Sequence, residues 1–523
     1  MTSTVLRLGT RKSLLAWGQS SWVARETERL NPGVRVELVG IETRGDRILD
    51  VSLQQVQGKE FFVAELDEAL HSGRVDFTVH SMKDLSLERP EAFALAAIPR
   101  RENPRDVLLV GPHGLERLAR GVKILIGTSS PRRIENIPPF LERALPRGPD
   151  LVAGPEAGRE PRFEFVDIRG NVNTRLSRVH EAVDHPKYLD GAVLAFAGLI
   201  RLYADGPARP EMNRLLEGVR WMVLPLRECP AAPAQGALAV ECRRDDARTR
   251  EILGRLHDPV TSLHVGRERA LLAEWGGGCH QKFGATSVAA EALGEGGYLF
   301  PVRGKKPDGA FVNELRWPAP ARPSREAAPV RAWSGQHWRA RSEEKDSALP
   351  VDADTGRAVF VAHSRAVPAD LAPRLREARI WTSGTASWFK LAEQGLWVEG
   401  CAESQGFETL RKIIAEPILR LPAGGEWTVL THREGVDGWD FGRAVATYGV
   451  APQALRSPEA VEALREATHA FWTSGSQFEA FAGDVPRGMV HSCGPGKTLQ
   501  VLKKAGIEPV VFPSHEEWEQ WLN

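Results

Sequence analysis

The chain has 523 residues, 42% hydrophobic and 26% charged, which is the composition of a globular protein too long for one hydrophobic core. Basic and acidic residues balance to a net charge of zero, so no global field selects nucleic acid or an anionic membrane surface. The start "MTSTVLRLGTRKS" has no apolar signal core, and the five scattered cysteines form no CxxC pair, so a cytoplasmic protein without a metal site or disulfide scaffold is expected.

In chain order, "VRVELVGIET" predicts a strand and "FFVAELDEALHSG" an amphipathic helix stopped by Gly73. "VDFTVHSM", "VKILIGTSS" and "GAVLAFAG" predict further strands. Strand–helix alternation of this kind predicts an α/β architecture with largely parallel sheets and ligands at the carboxyl ends of strands. The loops that follow, "HSMKDLS", "GTSSPRR" and "DIRGNVNTR", are rich in charge and hydroxyl groups. A β-rich piece near 280–317 precedes a stretch rich in Pro, Ala and charge, read as a linker over 318–355. A second α/β region is expected over 356–523. It carries an echo, "WTSGTASW" at 381–388 and "WTSGSQFE" at 472–479, which two similar lobes would produce, as would a common polar strand-end turn. "GPGKT" at 494–498 is half a phosphate loop, but His491 stands where that motif needs glycine, so no nucleotide site is expected there.

Three features carry chemistry. Arg11, Arg132, Arg133, Arg169, Arg175 and Arg201, with Ser13 and Ser129, fall in or beside strand-end loops. Each alone reads as a solvated surface arginine. Together they repel one another unless a ligand with many carboxylates or phosphates satisfies them, and the planar guanidinium fork suits such groups. "HSMKD" sets Lys83 beside Asp84, a carboxylate placed to stabilise a transient cation or to make a structural ion pair. "EWGGGCHQKFG" puts Cys279 after three glycines, where the backbone lets a group approach closely. That suits a tether or nucleophile, though an inconsequential loop cysteine has the same appearance.

The ordered motifs "RLGTRKSLLA", "VELVGIETRGDRILD", "GKEFFVAELDEAL", "DFTVHSMKD", "IPRRENPRD", "IGTSSPRR", "IRGNVNTRL", "LAFAGLIRL", "QGALAVECR" and "GGGC" resemble the porphobilinogen deaminase (hydroxymethylbilane synthase) family over about 5–317. The resemblance implies two periplasmic-binding-protein-like α/β lobes and a small α+β cofactor domain. The first lobe would be 1–103, completed by about 236–257, the second 104–235 and the cofactor domain 258–317. It implies a dipyrromethane cofactor joined to Cys279 by a thioether, on which four porphobilinogen molecules are added head to tail with loss of ammonia. Lys83, Asp84, Ser129, Arg132 and Arg133 would hold the cofactor, and Arg11, Ser13, Arg169, Arg175 and Arg201 the substrate. Asp84, with Lys83, would be catalytic, stabilising the azafulvenium-like cation left when ammonia departs. A monomer with a small-molecule substrate, without metal, nucleic acid or membrane, is implied.

The chain departs from that family at Pro131, which replaces a leucine, at Ala234, which replaces a glycine, and in an insertion near 146–162. None removes a chemical group. Over 356–523, "VFVAHSRAVPADLAPRL", "GTASWFKLAEQG", "AFWTSGSQFEAFA" and the C-terminal "HSCGPGKTLQVLKKAGIEPVVFPSHEEWEQWL" resemble a shortened uroporphyrinogen-III synthase. That implies a two-lobed α/β region closing the deaminase product to a macrocycle, or a non-catalytic remnant of one. A two-lobed anion-binding protein is the rival reading for the first region; it needs neither Cys279 on glycines nor Asp84 beside Lys83.

Overall fold

A computed structural model describes residues 4–43, 63–148, 162–276, 281–323, 329–335, 358–449 and 456–523. Cys279, most of the 146–162 insertion and parts of the motifs "VELVGIETRGDRILD", "GKEFFVAELDEAL" and "GGGC" lie outside the described residues. The chain divides into two units. The first comprises Met1–Glu142, Gly148–Ser287 and Phe300–Leu315, and the second Arg143–Arg147, Val288–Leu299 and Arg316–Asn523. Among the described residues there are five sheets, in a mixed α/β fold.

In the first unit the chain lays down β1 (Thr4–Arg11), β2 (Val34–Ile41), β3 (Phe77–Ser81) and β4 (Phe93–Ala97). It then crosses to a second sheet made of β5 (Asp106–Val110), β6 (Ile124–Gly127), β7 (Phe163–Val166), β8 (Gly191–Ala195) and β9 (Arg220–Val223). It returns as β10 (Leu238–Arg243) into the first sheet, whose order is β2-β1-β3-β10-β4; the second runs β7-β6-β8-β5-β9.

The largely parallel sheets expected from strand–helix alternation are corrected to mixed ones. β1 pairs parallel with β2 and β3, and β6 parallel with β7 and β8. β10 is antiparallel to β3 and β4, and β5 antiparallel to β8 and β9. The reversed strands are those entered when the chain changes sheet; no helical crossover returns it to the original direction.

The apolar run of β5 ("DVLLV") is wholly buried, as a strand covered on both faces requires. Leu6, Leu8, Val36, Phe77 and Val240 form the first sheet's core with Val23 from helix Leu14–Leu30. The predicted helix after residue 61 spans Ala64–His71, and Gly73 beyond it has φ +71, the left-handed conformation glycine adopts at helix ends. A small sheet follows from β11 (Lys282–Ala285), β12 (Val288–Ala289), β13 (Tyr298–Lys305) and β14 (Phe311–Arg316).

In the second unit, β15 (Ala332–Ser334) falls inside the stretch expected as linker. Its Trp333 is buried against Trp472 and Phe481, and that apolar anchorage is what the Pro- and charge-rich surroundings obscure. Next come β16 (Ala358–Val361), β17 (Arg379–Thr382), β18 (Val398–Cys401), β19 (Trp427–His432) and β20 (Arg443–Tyr448), a parallel sheet ordered β18-β17-β16-β19-β20. β21 (His469–Trp472), β22 (Val490–Cys493) and β23 (Val510–Val511) join β15 in a second parallel sheet. The Trp-Thr-Ser-Gly echo ends one strand in each sheet, β17 and β21, and each leads into a helix, Thr385–Glu393 and Gly475–Phe481. Among the described residues no helix is long and apolar enough to cross a membrane.

Candidate active site

Strand direction brings the charged loops to common edges. β1 ends at Arg11, followed by Ser13, whose Oγ accepts from Ala16 N (3.4 Å) and caps helix Leu14–Leu30. β3, parallel to β1, ends at Ser81 and turns through Met82–Asp84, so Lys83 and Asp84 leave the same edge as Arg11. In the second sheet β6 leads to Ser129, Arg132 and Arg133, β7 to Arg169 and Arg175, and β8 to helix Phe196–Ala204 with Arg201. Pro131 takes the first position of helix Pro131–Asn136, where a missing N–H costs nothing and its fixed φ starts the turn carrying both arginines.

Asp106 organises this edge, and sequence reading assigned it no role. It starts antiparallel β5 opposite Ala195, which places a wholly buried carboxylate at the edge where parallel β8 ends. Arg132 Nη2 donates to its Oδ2 and Arg133 Nη2 to its Oδ1, both at 2.7 Å. The other arms donate to Pro230 O and Val193 O, both at 2.8 Å, and each buried Nε has no hydrogen-bond partner among the described residues. Burial alone would raise the Asp106 pKa; the two guanidiniums outweigh it and hold the carboxyl well below its usual range. The available signal was "RDVLLV", a carboxylate heading an otherwise apolar strand.

Gln235 links the two sheets. Its Nε2 donates to Asp106 Oδ1 (2.9 Å) and Pro104 O (2.7 Å), while its Oε1 accepts from Lys83 Nζ (3.3 Å). Burial lowers the Lys83 pKa, and Arg133 and Arg132 add to that against the pull of Asp84 and Asp106. The residue before Gln235 is Ala234, with φ +64. The glycine that the family resemblance places there is the residue that adopts this conformation without strain, so Ala234 bears it. The turn is held from outside: Glu268, fully buried, takes Arg101 bidentately (2.6 and 2.9 Å) and accepts from Ala234 N and Ser287 N, both at 2.6 Å.

The other expected site residues divide by partner. Ser129 Oγ donates to Ile168 O and accepts from Ile168 N (3.1 Å), tying the loop before Arg132 to the loop of Arg169. Arg201 Nη2 donates to Gly236 O (2.6 Å), and burial lowers its pKa to about 10. Arg175 Nε donates to Gly170 O (2.8 Å), and no acidic group forms an ion pair with it among the described residues. Burial, with Arg133 and Arg169 nearby, pushes its pKa down to about 10, and Asp167 and Asp84 pull the other way. Arg11 lies near His80, whose pKa burial and the fields of Arg89 and Arg11 depress to about 3. Lys83, Arg132, Arg133, Arg169, Arg175 and Asp84 thus share one electrostatic neighbourhood, whereas the side chains of Ser13 and Arg201 bond Ala16 N and Gly236 O instead.

Asp84 is exposed and has no hydrogen bond or ion pair with any described residue, although Lys83 and Arg175 feel its charge. A polycarboxylate cofactor fits this set. Among the described residues two buried guanidiniums share one buried carboxylate, their Nε groups have no partner, and the Asp84 carboxylate near Lys83 and Arg175 is unbonded. One trio of metal-type ligands occurs among the described residues, Asp67, His80 and Glu241. Arg89 bonds both of its carboxylates (2.6 and 2.8 Å) and already supplies the positive charge there.

A cation-rich edge shared by two mixed α/β sheets is the class of site that suits a small polycarboxylate or polyphosphate. Residues 6–251 match the family model described as porphobilinogen deaminase, dipyromethane cofactor binding domain. The porphobilinogen deaminase of Syntrophotalea carbinolica is 41% identical over 56% of this chain and 81% of its own length. That of Geobacter sulfurreducens is 40% identical over 58% of this chain and 83% of its own. The BenM effector binding domain solved with its effector benzoate is similar at a TM-score of 0.25 and 16% identity, over 53% of this chain and 95% of that one. The chain belongs to the porphobilinogen deaminase family, and a dipyrromethane cofactor goes with its matched domain.

Proposed function

We propose that this deaminase condenses four porphobilinogen molecules head to tail on a dipyrromethane carried by Cys279, releasing ammonia at each addition and hydroxymethylbilane at the end. The observation that carries the reading is the charge imbalance at the strand edge: Arg132 and Arg133 share one buried carboxylate, Lys83 and Arg175 stand beside them, and Asp84 is unbonded among the described residues. The bound dipyrromethane would supply the free pyrrole carbon to which the first unit is joined, each later unit joining the ring before it. Arg132, Arg133 and Lys83 bind its acetate and propionate groups, and Arg11, Arg169 and Arg175 those of the incoming unit; charge-assisted bidentate bonds fix both in register. Ser129 positions Arg169 through the Ile168 peptide, Ser13 holds the helix start beside Arg11, and Arg201 holds the Gln235 turn at Gly236. Asp84 accepts from the pyrrole N–H and stabilises the positive charge that develops as the aminomethyl C–N bond breaks.

A second activity is proposed for the C-terminal region, closure of hydroxymethylbilane by a uroporphyrinogen-III synthase. What supports it is the pair of parallel sheets with repeated strand ends, and the approach of two left-handed glycines, Gly406 (φ +87) and Gly496 (φ +112). Lys497 beside them lies 3.8 Å over the Trp439 ring, and burial lowers its pKa to about 8. The test supplies purified protein with porphobilinogen alone, follows ammonia, oxidises the products and separates uroporphyrin isomers. Type III supports both activities, type I the deaminase alone, and no consumption supports the anion-binding rival.

A further inference from the structure

We propose that Gln235 is a positioning residue of the deaminase site, fixing the Lys83 ammonium against Asp106 across the two sheets; the reactive part of this rests on the deaminase reading above. Gln235 is 1% exposed, so its amide cannot exchange its partners for water. Its orientation is set by chemistry. Nε2 faces two acceptors, Asp106 Oδ1 and Pro104 O, and Oε1 faces a donor, Lys83 Nζ; a flipped amide would oppose donor to donor and acceptor to acceptor. No other hydrogen bond holds Lys83 among the described residues, so without the amide oxygen its ammonium is positioned by through-space fields only.

The charged groups around Gln235 come from every element packed on it. Lys83 and Asp106 face the amide, with Arg132 and Arg133 behind Asp106. Arg101 Nε donates to the Gln235 carbonyl (2.7 Å), Glu268 bonds Ala234 N, and Arg201 bonds Gly236 O. The backbone is therefore clamped independently of the side chain, and substitution of Gln235 tests the amide itself.

The experiment measures the rate at which Lys83 is labelled by a small amine-acylating reagent at pH 8, by peptide mapping of the full-length protein, in wild type, Gln235→Leu and Gln235→Glu. Losing the acceptor in Gln235→Leu favours the neutral amine, and labelling rises severalfold. In Gln235→Glu the second carboxyl oxygen takes the Nε2 place 2.9 Å from the Asp106 carboxylate, which keeps the new group protonated; its O–H donates to Asp106, its carbonyl oxygen accepts from Lys83 as the amide did, and labelling stays near wild type. A rise in Gln235→Leu beside wild-type labelling in Gln235→Glu, at one clamped position, cannot come from a general loosening of the fold. Equal labelling in all three proteins overturns the proposal. The kcat/KM for porphobilinogen should fall about tenfold in Gln235→Leu; a wild-type value beside altered labelling removes the reactive role. A wild type that does not consume porphobilinogen defeats the deaminase reading and leaves the labelling comparison to decide the Lys83 contact.

Discussion

Asp84→Asn separates catalysis from stability at one atom. The carboxylate is exposed and bonded to no described residue, so replacing one oxygen by an amide breaks no hydrogen bond and strands no buried charge. The expected change in unfolding free energy is that of a surface substitution, within about 0.5 kcal/mol. Turnover responds differently. A charge aimed at a developing cation contributes on the scale of one preorganised electrostatic contact, roughly 2.7–4 kcal/mol, or about a hundredfold to a thousandfold in rate. Lys83 also loses its largest favourable charge partner, so the ammonium is weakened in the same direction. The assay follows ammonia release from porphobilinogen under single-turnover conditions, with urea unfolding on the same samples. The reasoning is refuted by turnover within threefold of wild type, or by a stability loss large enough to account for the missing activity.

Glu268→Gln should cost about 3–5 kcal/mol in urea unfolding, because it breaks a buried bidentate pair with Arg101 and turns an amide N–H towards other donors; a loss under about 1 kcal/mol would show the network is dispensable. Cys279→Ser should abolish both a dipyrromethane-sized adduct in intact-protein mass spectrometry and activity, and an adduct mapped to Cys242 would contradict the assignment. His80, buried with its pKa near 3 against an ordinary 6.5, binds its proton in the unfolded state first. Its contribution is present above pH 6.5 and is lost as pH falls towards 3, by up to about 1.4 kcal/mol per pH unit. The stability advantage of wild type over His80→Gln should therefore shrink between pH 7 and 5, and a constant difference refutes the buried neutral imidazole. Lys497→Ala should leave ammonia release unchanged and shift uroporphyrin from type III to type I; an unchanged isomer ratio removes Lys497 from the second activity.

Much of the architecture was legible because its signals are local. Apolar runs ending in "HSMKD", "GTSSPRR" and "DIRGNVNTR" mark strands and the chemistry placed at their ends. The Pro at the start of "PRRIEN" takes the first helical position that its fixed φ suits, whereas the positive φ at Ala234 runs against alanine's own preference and was not legible from the residue. Strand direction was not legible. β5 and β10 carry the same apolar signature as parallel strands, and only the passage between sheets reverses them. That reversal is also why Asp106 was missed. It sits at the beginning of a strand, and attention to strand ends finds it only once β5 is known to run backwards. β15 was hidden for a different reason, because three residues are too few for any period and a single Trp anchors them.

The arginines of this protein fall into two populations, and the division locates the ligand better than their number does. Arg89 and Arg101 each meet carboxylates in full, Arg89 with Asp67 and Glu241 and Arg101 bidentately with Glu268. Their charge is internally neutralised and their work is structural. Arg132 and Arg133 divide one carboxylate between them, and Arg175 has no ion-pair partner among the described residues. A buried guanidinium without its own counter-ion is costly unless an anion arrives during function. The same edge holds Asp84, which makes no hydrogen bond or ion pair with any described residue. A ligand completing both deficits must carry several carboxylates for the cations and an N–H, with positive charge to come, for Asp84. On the function proposed above, porphobilinogen and the chain grown from it present both on every ring: two acidic side chains on the β-carbons and one pyrrole N–H on the opposite edge.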